Sequence, residues 1–228
     1  MNFQRKDAAQ TRRRLLDSAS TVFADKGYRA ATIAEICEKA GANIAAVNYH
    51  FGSKERLYVD AWKYAFGESV KAYPPDGGVS ADAPPEERLR GHIRALIRRI
   101  ADRGNREFRI MQQEIFDPTD LLREVTREML DALRMDTLGL VRELLGPCVP
   151  EEHVVFSEMS IVNQCINPII AGRPGRGKGM KKEPEDRMKI NIEAYIGHVT
   201  GFSLAGLKAV RMEYEGKDGM VKKKKGRV

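Results

Sequence analysis

Apolar residues recur at every third or fourth position along almost the whole chain, and strand-type alternation is absent over any useful length. Leu15, Ser18, Ala19, Val22 and Phe23 share one face of a first helix, which Lys26-Gly27 stops. Thr32 followed by Glu35 is a capping box. It opens a second helix with Ile33, Ile36 and Ala40 on its inner side, and Gly41 breaks that helix. Asn43 is placed to cap a third helix running through Phe51, and Ser53 a fourth that reaches about residue 72. The stretch "YPPDGGVSADAPP" (73–85) reads as a linker loop, because its helix-breaking dipeptides cluster. Five further helices are predicted near 86–103, 105–116, 119–145, 151–171 and 185–214, with faces such as Leu89/Ile93/Leu96/Ile100 and Leu130/Leu133/Leu140/Leu144. The expected fold class is all-α: a small N-terminal unit and a larger C-terminal helical bundle.

The third helix departs from the pattern of a surface helix. "NIAAVNYHF" carries small or apolar residues where charge is usual, followed by Asn48, Tyr49 and His50. Two short helices around a glycine-containing turn form a helix-turn-helix, whose second helix lies in the DNA major groove. Ala45 and Ala46 then let the backbone approach the bases, Ile44 meets a thymine methyl, and Asn48 offers an amide for adenine. Tyr49, His50 and Lys54 are donors suited to phosphate oxygens, and Thr32 heads a helix whose N-terminus attracts a phosphate. Blander readings are that Asn43 is only an N-cap, which is compatible with a DNA role, and that His50 is a packed histidine. Arg12, Arg13 and Arg14 read either as a solvated face or as nonspecific attraction to the DNA backbone.

The stretch "RRRLLDSASTVFADKGYRAATIAEICEKAGANIAAVNYHFGSKERLYVDA" strongly resembles the DNA-binding domain of TetR-family transcriptional regulators, through F-x-x-K-G-Y, T-I-x-x-I, A-G and Y-H-F-x-S-K-x-x-L, over about residues 10 to 62. The resemblance implies a homodimer that binds a palindromic operator, usually represses, and leaves DNA when a small-molecule effector enters the C-terminal domain. It puts the DNA contacts on Thr32, Asn43, Ile44, Ala45, Ala46, Asn48, Tyr49, His50 and Lys54. Ile44 stands where many members have a polar residue, and Asn48 replaces a common Tyr. "FSEMSIVNQCINPII" and "HVTGFSLAGLKAV" look like the last two helices of the CecR-type subgroup. The implied domains are 1–54 for DNA binding, 55–215 for ligand binding and dimerisation with a basic loop at 172–184, and 216–228 as a disordered basic tail.

Composition adjusts this reading at a few points. The net charge of +7 is concentrated: the N-terminal unit is mildly basic, two basic segments lie at 172–183 and 216–228, and the rest is acidic. The tail could add nonspecific nucleic-acid attraction or only solubility. Cys37, Cys148 and Cys165 are odd in number and far apart, which argues for a reducing cytoplasm and against a disulfide framework or a zinc site. No apolar run is long enough to span a membrane, and the N-terminus lacks a signal-peptide core. No metal or cofactor is expected. "GRPGRGK" matches G-x-x-x-x-G-K, but Gly179 stands where Ser or Thr should hold magnesium and no strand precedes it. His92, His153 and His198 are isolated, no GxSxG elbow occurs, and an enzyme is not expected.

In the larger domain the resemblance assigns dimerisation to the helices near 151–171 and 185–214. Val162, Cys165, Ile169, Gly197, Gly201 and Ala205 are the interface candidates, within a small-residue stripe that also holds Ala194 and Gly206. Close packing within the chain is the alternative use of that stripe. Phe108, Met111, Phe116, Met129, Met135, Phe156 and Met159 are candidates for lining the effector cavity, Met being adaptable in shape. Plain core packing is the alternative for these. A bound effector is expected to shift the fourth helix and so the spacing of the two reading helices.

Overall fold

The computed structural model describes residues 2–171 and 191–225, with side chains described for 7–166 and 191–216. The described residues form helices joined by turns and loops, with no strand among them. The helices are α1 (Asn2–Ala30), α2 (Ile33–Ala40), α3 (Ile44–Phe51), α4 (Lys54–Ala72), α5 (Pro85–Ala101), α6 (Arg106–Phe116), α7 (Arg123–Leu145), α8 (Glu151–Ala171) and α9 (Ile192–Lys225). Gly27, at φ 76°, interrupts α1 at the expected stop. The start of α7 falls four residues later than the periodicity suggests. There Asp120 sits at positive φ, and Thr119 donates both its N–H and its hydroxyl to Glu114 instead of continuing a helix.

The chain divides into two compact units, and the division does not follow the expected boundary at residue 54. One unit takes α1 to α4 together with residues 103–131, and the other takes residues 73–102 and the chain from Ala132. The first unit is built around aromatic rings. Phe23, Tyr58 and Trp62 are fully buried, with Phe23 and Tyr58 edge to face at 4.8 Å. α6 joins this unit by charge and hydrogen bonding. Arg106 pairs with Asp17 at 2.7 Å, Arg109 with Asp25 and Arg29 with Asp117, and Tyr58 donates to Glu114 at 2.9 Å.

The second unit has an aliphatic core. Leu89, Ile93 and Ile97 of α5 pack with Leu140 and Val141 of α7, Val154 and Ile161 of α8, and Val199 and Leu207 of α9. The loop 73–84, read from sequence as a linker, packs onto α5. Arg94 donates to the carbonyl of Gly77 at 2.6 Å, and a Cβ on Gly91 would run into the Asp76 carbonyl oxygen. Only glycine lets this loop lie so close to the helix. Residues 172–184, assigned to a basic loop, lie outside the described residues. Where a tail without regular structure was expected from residue 216, α9 continues to Lys225. Lysine is a good helix former, and basic residues suit a helix C-terminus.

Candidate nucleic-acid interface

Local chemistry fixes the helix pair around Gly41. The Thr32 hydroxyl accepts from the Glu35 N–H at 3.2 Å, and Asn43 Oδ1 accepts from the Ala46 N–H at 2.9 Å, so both expected caps are formed. Gly41 lies in the left-handed region at φ 59°, and its N–H bonds back to Glu38, ending α2 in a turn that few other residues tolerate. Val47 and Phe51 anchor α3 on its inner side.

The outer side of α3 is one stripe. Ile44, Ala45, Asn48 and Tyr49 are exposed, with Tyr49 at 80% and Ile44 at 54%. Their spacing puts them on adjacent turns of one face. Exposure of a large apolar and an aromatic side chain beside two alanines is unusual for a solvated helix. Ala46 and His50 are half-buried at the flank of the stripe. The His50 ring meets Tyr49 edge-on at 4.9 Å and Phe51 at 6.0 Å, so the packed and the outward-facing reading of His50 both hold in part. Thr32 and Asn43 are exposed, though the oxygen of each is occupied by its cap.

Lys54 is held more tightly than the sequence implied. Its ammonium lies 4.6 Å from the Tyr28 ring, and the Tyr28 hydroxyl donates to Glu55 at 2.7 Å. The Tyr28 hydrogen bond, followed by one from Ser53, holds the Glu55 carboxyl down at about 2. Burial, reinforced by Glu55, pushes the Tyr28 phenol up to about 12. Tyr28 was missed because its role rests on residues 26 and 27 positions away. The arginine run is also divided by the fold. Arg12 is committed to Asp60 at 2.7 Å and to the Phe51 ring at 5.2 Å, which leaves Arg13 and Arg14 on other sides of α1.

The candidates in the C-terminal part are placed unevenly. Phe108, Met111, Phe116 and Met129 belong to the first unit, and Met135, Phe156 and Met159 to the second. Phe108, Met111 and Met129 are half-buried, whereas Phe116, Met135, Phe156 and Met159 are about half exposed or more. Those four therefore lack the enclosure expected of a cavity wall, because helical spacing does not say which side of a helix is covered. Of the interface candidates, Gly197, Gly201 and Ala205 are exposed, and a Cβ on either glycine would meet nothing. Among the described residues, then, nothing packs against these two glycines. Exposed Phe202 continues the same helix face, stacked at 6.0 Å with His198. Val162 is half-buried. Cys165 is fully buried in the second core, where burial pushes its thiol up to about 12, so it is a core residue and not a surface one. The side chain of Ile169 lies outside the described residues.

Comparison with known proteins agrees with this architecture. Residues 15–61 match the family model "Bacterial regulatory proteins, tetR family", and residues 85–207 match the model of the C-terminal domain of the HTH-type transcriptional dual regulator CecR. The CecR protein of Shigella flexneri is 32% identical over 199 residues, covering 86% of this chain and 76% of that protein. The regulator YerO of Bacillus subtilis is 32% identical over 93 residues, 41% of this chain and 32% of that protein. A TetR-like transcriptional regulator from Rhodococcus sp. RHA1 superposes with a TM-score of 0.62 at 16% identity, covering 87% of this chain and 96% of that one, which shows a shared fold. No helix among the described residues is long and apolar enough to cross a membrane. The family is one of regulators and not of enzymes, and the chain belongs to it: it is a DNA-binding transcriptional regulator of the TetR family with a CecR-type C-terminal domain.

Proposed function

We propose that the chain is a homodimeric repressor that reads an inverted-repeat operator with α3 and is released by a small apolar effector. The observation that carries this reading is the exposed stripe Ile44, Ala45, Asn48 and Tyr49, on a helix capped at Asn43 and anchored by Val47 and Phe51. Ala45 and half-buried Ala46 keep the helix slim. Asn48 reads adenine, Ile44 meets a thymine methyl, and Tyr49, His50 and Lys54 take phosphates at the groove's edge. Thr32 and Asn43 bring the two helix N-termini, rather than their own occupied oxygens, to the backbone.

Two copies joined through the exposed face of α9, with Gly197, Gly201, Ala205 and Phe202, and through Val162 of α8 would set two reading helices about one DNA turn or a multiple apart. Phe108, Met111 and Met129 are the best placed of the apolar candidates to meet an effector, since they are partly covered. α6 carries the first two of these positions' neighbourhood and is tied to α1 through Arg106, Arg109 and Gln113, so a shift of α6 is felt by the helices that position α3. The effector acts only through a difference in affinity between the DNA-competent and the incompetent form. A second reading, regulation in both directions, is favoured by the match of residues 85–207 to a domain named for a dual regulator.

Selection of bound duplexes from a random pool at physiological salt tests the proposal, with enrichment of an inverted repeat as the expected result. On that repeat Asn48→Ala costs about 1–3 kcal/mol at one base position. Uniform weakening on all sequences would make Asn48 a backbone contact, and retention without any enriched sequence would remove the operator reading.

A further inference from the structure

One cleft of the first unit shares no lining residue with the exposed stripe of α3. It has a volume of about 530 Å3 and is lined by Gln10, Arg13, Arg14, Asp17 and Ser18 of α1, Lys39 and Ala40 of α2 and Tyr64 of α4. Three of these eight side chains are cationic and one is anionic. The anionic one is already engaged, because Asp17 accepts from Arg106 at 2.7 Å. Glu68, the next carboxylate felt by Arg13, pairs with Lys71 at 2.9 Å.

The cations themselves have no such partner. Among the described residues Arg13, Arg14 and Lys39 form no ion pair: Tyr64 is the group that most raises the Arg13 pKa, and Arg14 reaches Thr11 at 3.4 Å. By contrast their neighbour Arg12 is committed to Asp60, and Lys26, on the other end of the same helix, to Glu35. Positive charge is thus left over in a concave place and neutralised elsewhere. A concave wall of low polarisability concentrates the field of such charges and favours an anion there. Arginine adds planar, forked donors that suit phosphate oxygens.

We propose that this cleft binds phosphate groups, through Arg13, Arg14 and Lys39, with Gln10 and Tyr64 as neutral polar partners. Its volume exceeds what one phosphate fills, which leaves room for whatever carries the phosphate. Two sources share that chemistry: a DNA strand running past the unit, and a free phosphorylated small molecule. The proposal uses no residue of the α3 stripe and stands whether or not α3 reads an operator.

The test uses the full chain and the double variant Arg14→Ala/Lys39→Ala, both positions being exposed and outside the cores, with Arg14→Lys/Lys39→Arg as the charge-keeping control. One arm measures binding to a nonspecific 20-base-pair duplex across a salt series. If DNA phosphates occupy the cleft, the slope of log affinity against log salt becomes shallower by about 1 to 2 in the alanine variant, equally for all sequences, and stays put in the control. The other arm measures the thermal midpoint with pyrophosphate against chloride at matched ionic strength. If a free phosphorylated molecule is the occupant, pyrophosphate raises the midpoint of the parent and of the control, and the rise is lost in the alanine variant. An unchanged salt slope together with no pyrophosphate shift in the parent would overturn the proposal. Failure of the operator reading shows separately, as Asn48→Ala leaving sequence preference intact.

Discussion

The two units use their aromatic rings differently. In the unit that carries α3, the rings of Phe23, Tyr58 and Trp62 are fully buried in the core, while Tyr49 stands 80% exposed on α3. In the unit of α5, α8 and α9 the core is aliphatic and the ring of Phe202 lies outside it. Glu158 is buried against Arg134 at 3.1 Å and Thr200 is buried with its hydroxyl on the Ile196 carbonyl, whereas Phe202 is 63% exposed. Among the described residues, nothing covers that ring, which stands beside a stripe of exposed glycines.

The largest expected effect tests this contrast by making one change on each side of it. Phe23→Ala removes a fully buried ring from a core that cannot refill the space, at a loss of about 3–5 kcal/mol in urea unfolding. Phe202→Ala, in a dilute sample, changes folding stability by about 0.5 kcal/mol or less, yet weakens self-association in sedimentation. Equal losses on folding from the two changes would mean that Phe202 is covered by its own chain, and the contrast would fail.

A smaller effect is expected at Gly91. Alanine in a helix interior is normally the better residue by about 1 kcal/mol. Here its Cβ meets the Asp76 carbonyl, a backbone atom that moves only if the loop 73–84 lifts from α5. Gly91→Ala is therefore expected to destabilise by about 1–3 kcal/mol, the range for overpacking. A gain in stability would show that the loop rides loosely on the helix.

These two sites also show what a sequence discloses. The caps at Thr32 and Asn43 were legible because a cap is settled within three residues, as was the exposed stripe of α3, which needs only a helical repeat and a list of side chains. The contact between Gly91 and residue 76 was not legible, nor was the docking of α6 on α1, where Arg106 and Asp17 are 89 residues apart. Nothing local marks either partner. The same limit explains the boundary placed at residue 54. Periodicity finds helices but not which helices share a core, so residues 103–131 could not be given to the N-terminal unit. Cys165 was misplaced for a related reason: on α8 an interface face and a core face are both apolar, and only the packed chain distinguishes them.

Next in size is the cap itself. Asn43→Ala removes the acceptor of the Ala46 N–H at the start of α3, with an expected loss of about 1 kcal/mol in stability. Asn43→Ser keeps an acceptor and is expected to lose little. If α3 docks by its N-terminus, Asn43→Ala weakens DNA binding on every sequence alike, which separates it from a change at Asn48. Equal stability of the alanine and serine variants would mean that the cap does not hold the reading helix.

The smallest effect concerns pH, and it lies at the junction of α1 and α4. The Glu55 carboxyl is held near 2 against an ordinary 4.5, first by the Tyr28 hydroxyl and then by Ser53. Its folded pKa is lowered, so its contribution is complete above about pH 4.5 and is lost as pH falls towards 2. The Tyr28 phenol is raised from 10.0 to about 12, chiefly by burial, so the folded state holds its proton longer and stability is lost as pH rises through 10 to 12. Between those limits the pair contributes fully. Glu55 is exposed to solvent, which keeps its share small. Tyr28→Phe removes the hydrogen bond while leaving a ring beneath the Lys54 ammonium, 4.6 Å away in the parent. The expected result, by NMR titration, is a Glu55 carboxyl that moves back towards the ordinary range, with Lys54 still in place and DNA affinity little changed. A Glu55 that titrates unchanged in Tyr28→Phe would assign its low value to Ser53 and the helix start instead. A large loss of DNA affinity would show that the hydroxyl, rather than the ring, sets the position of Lys54.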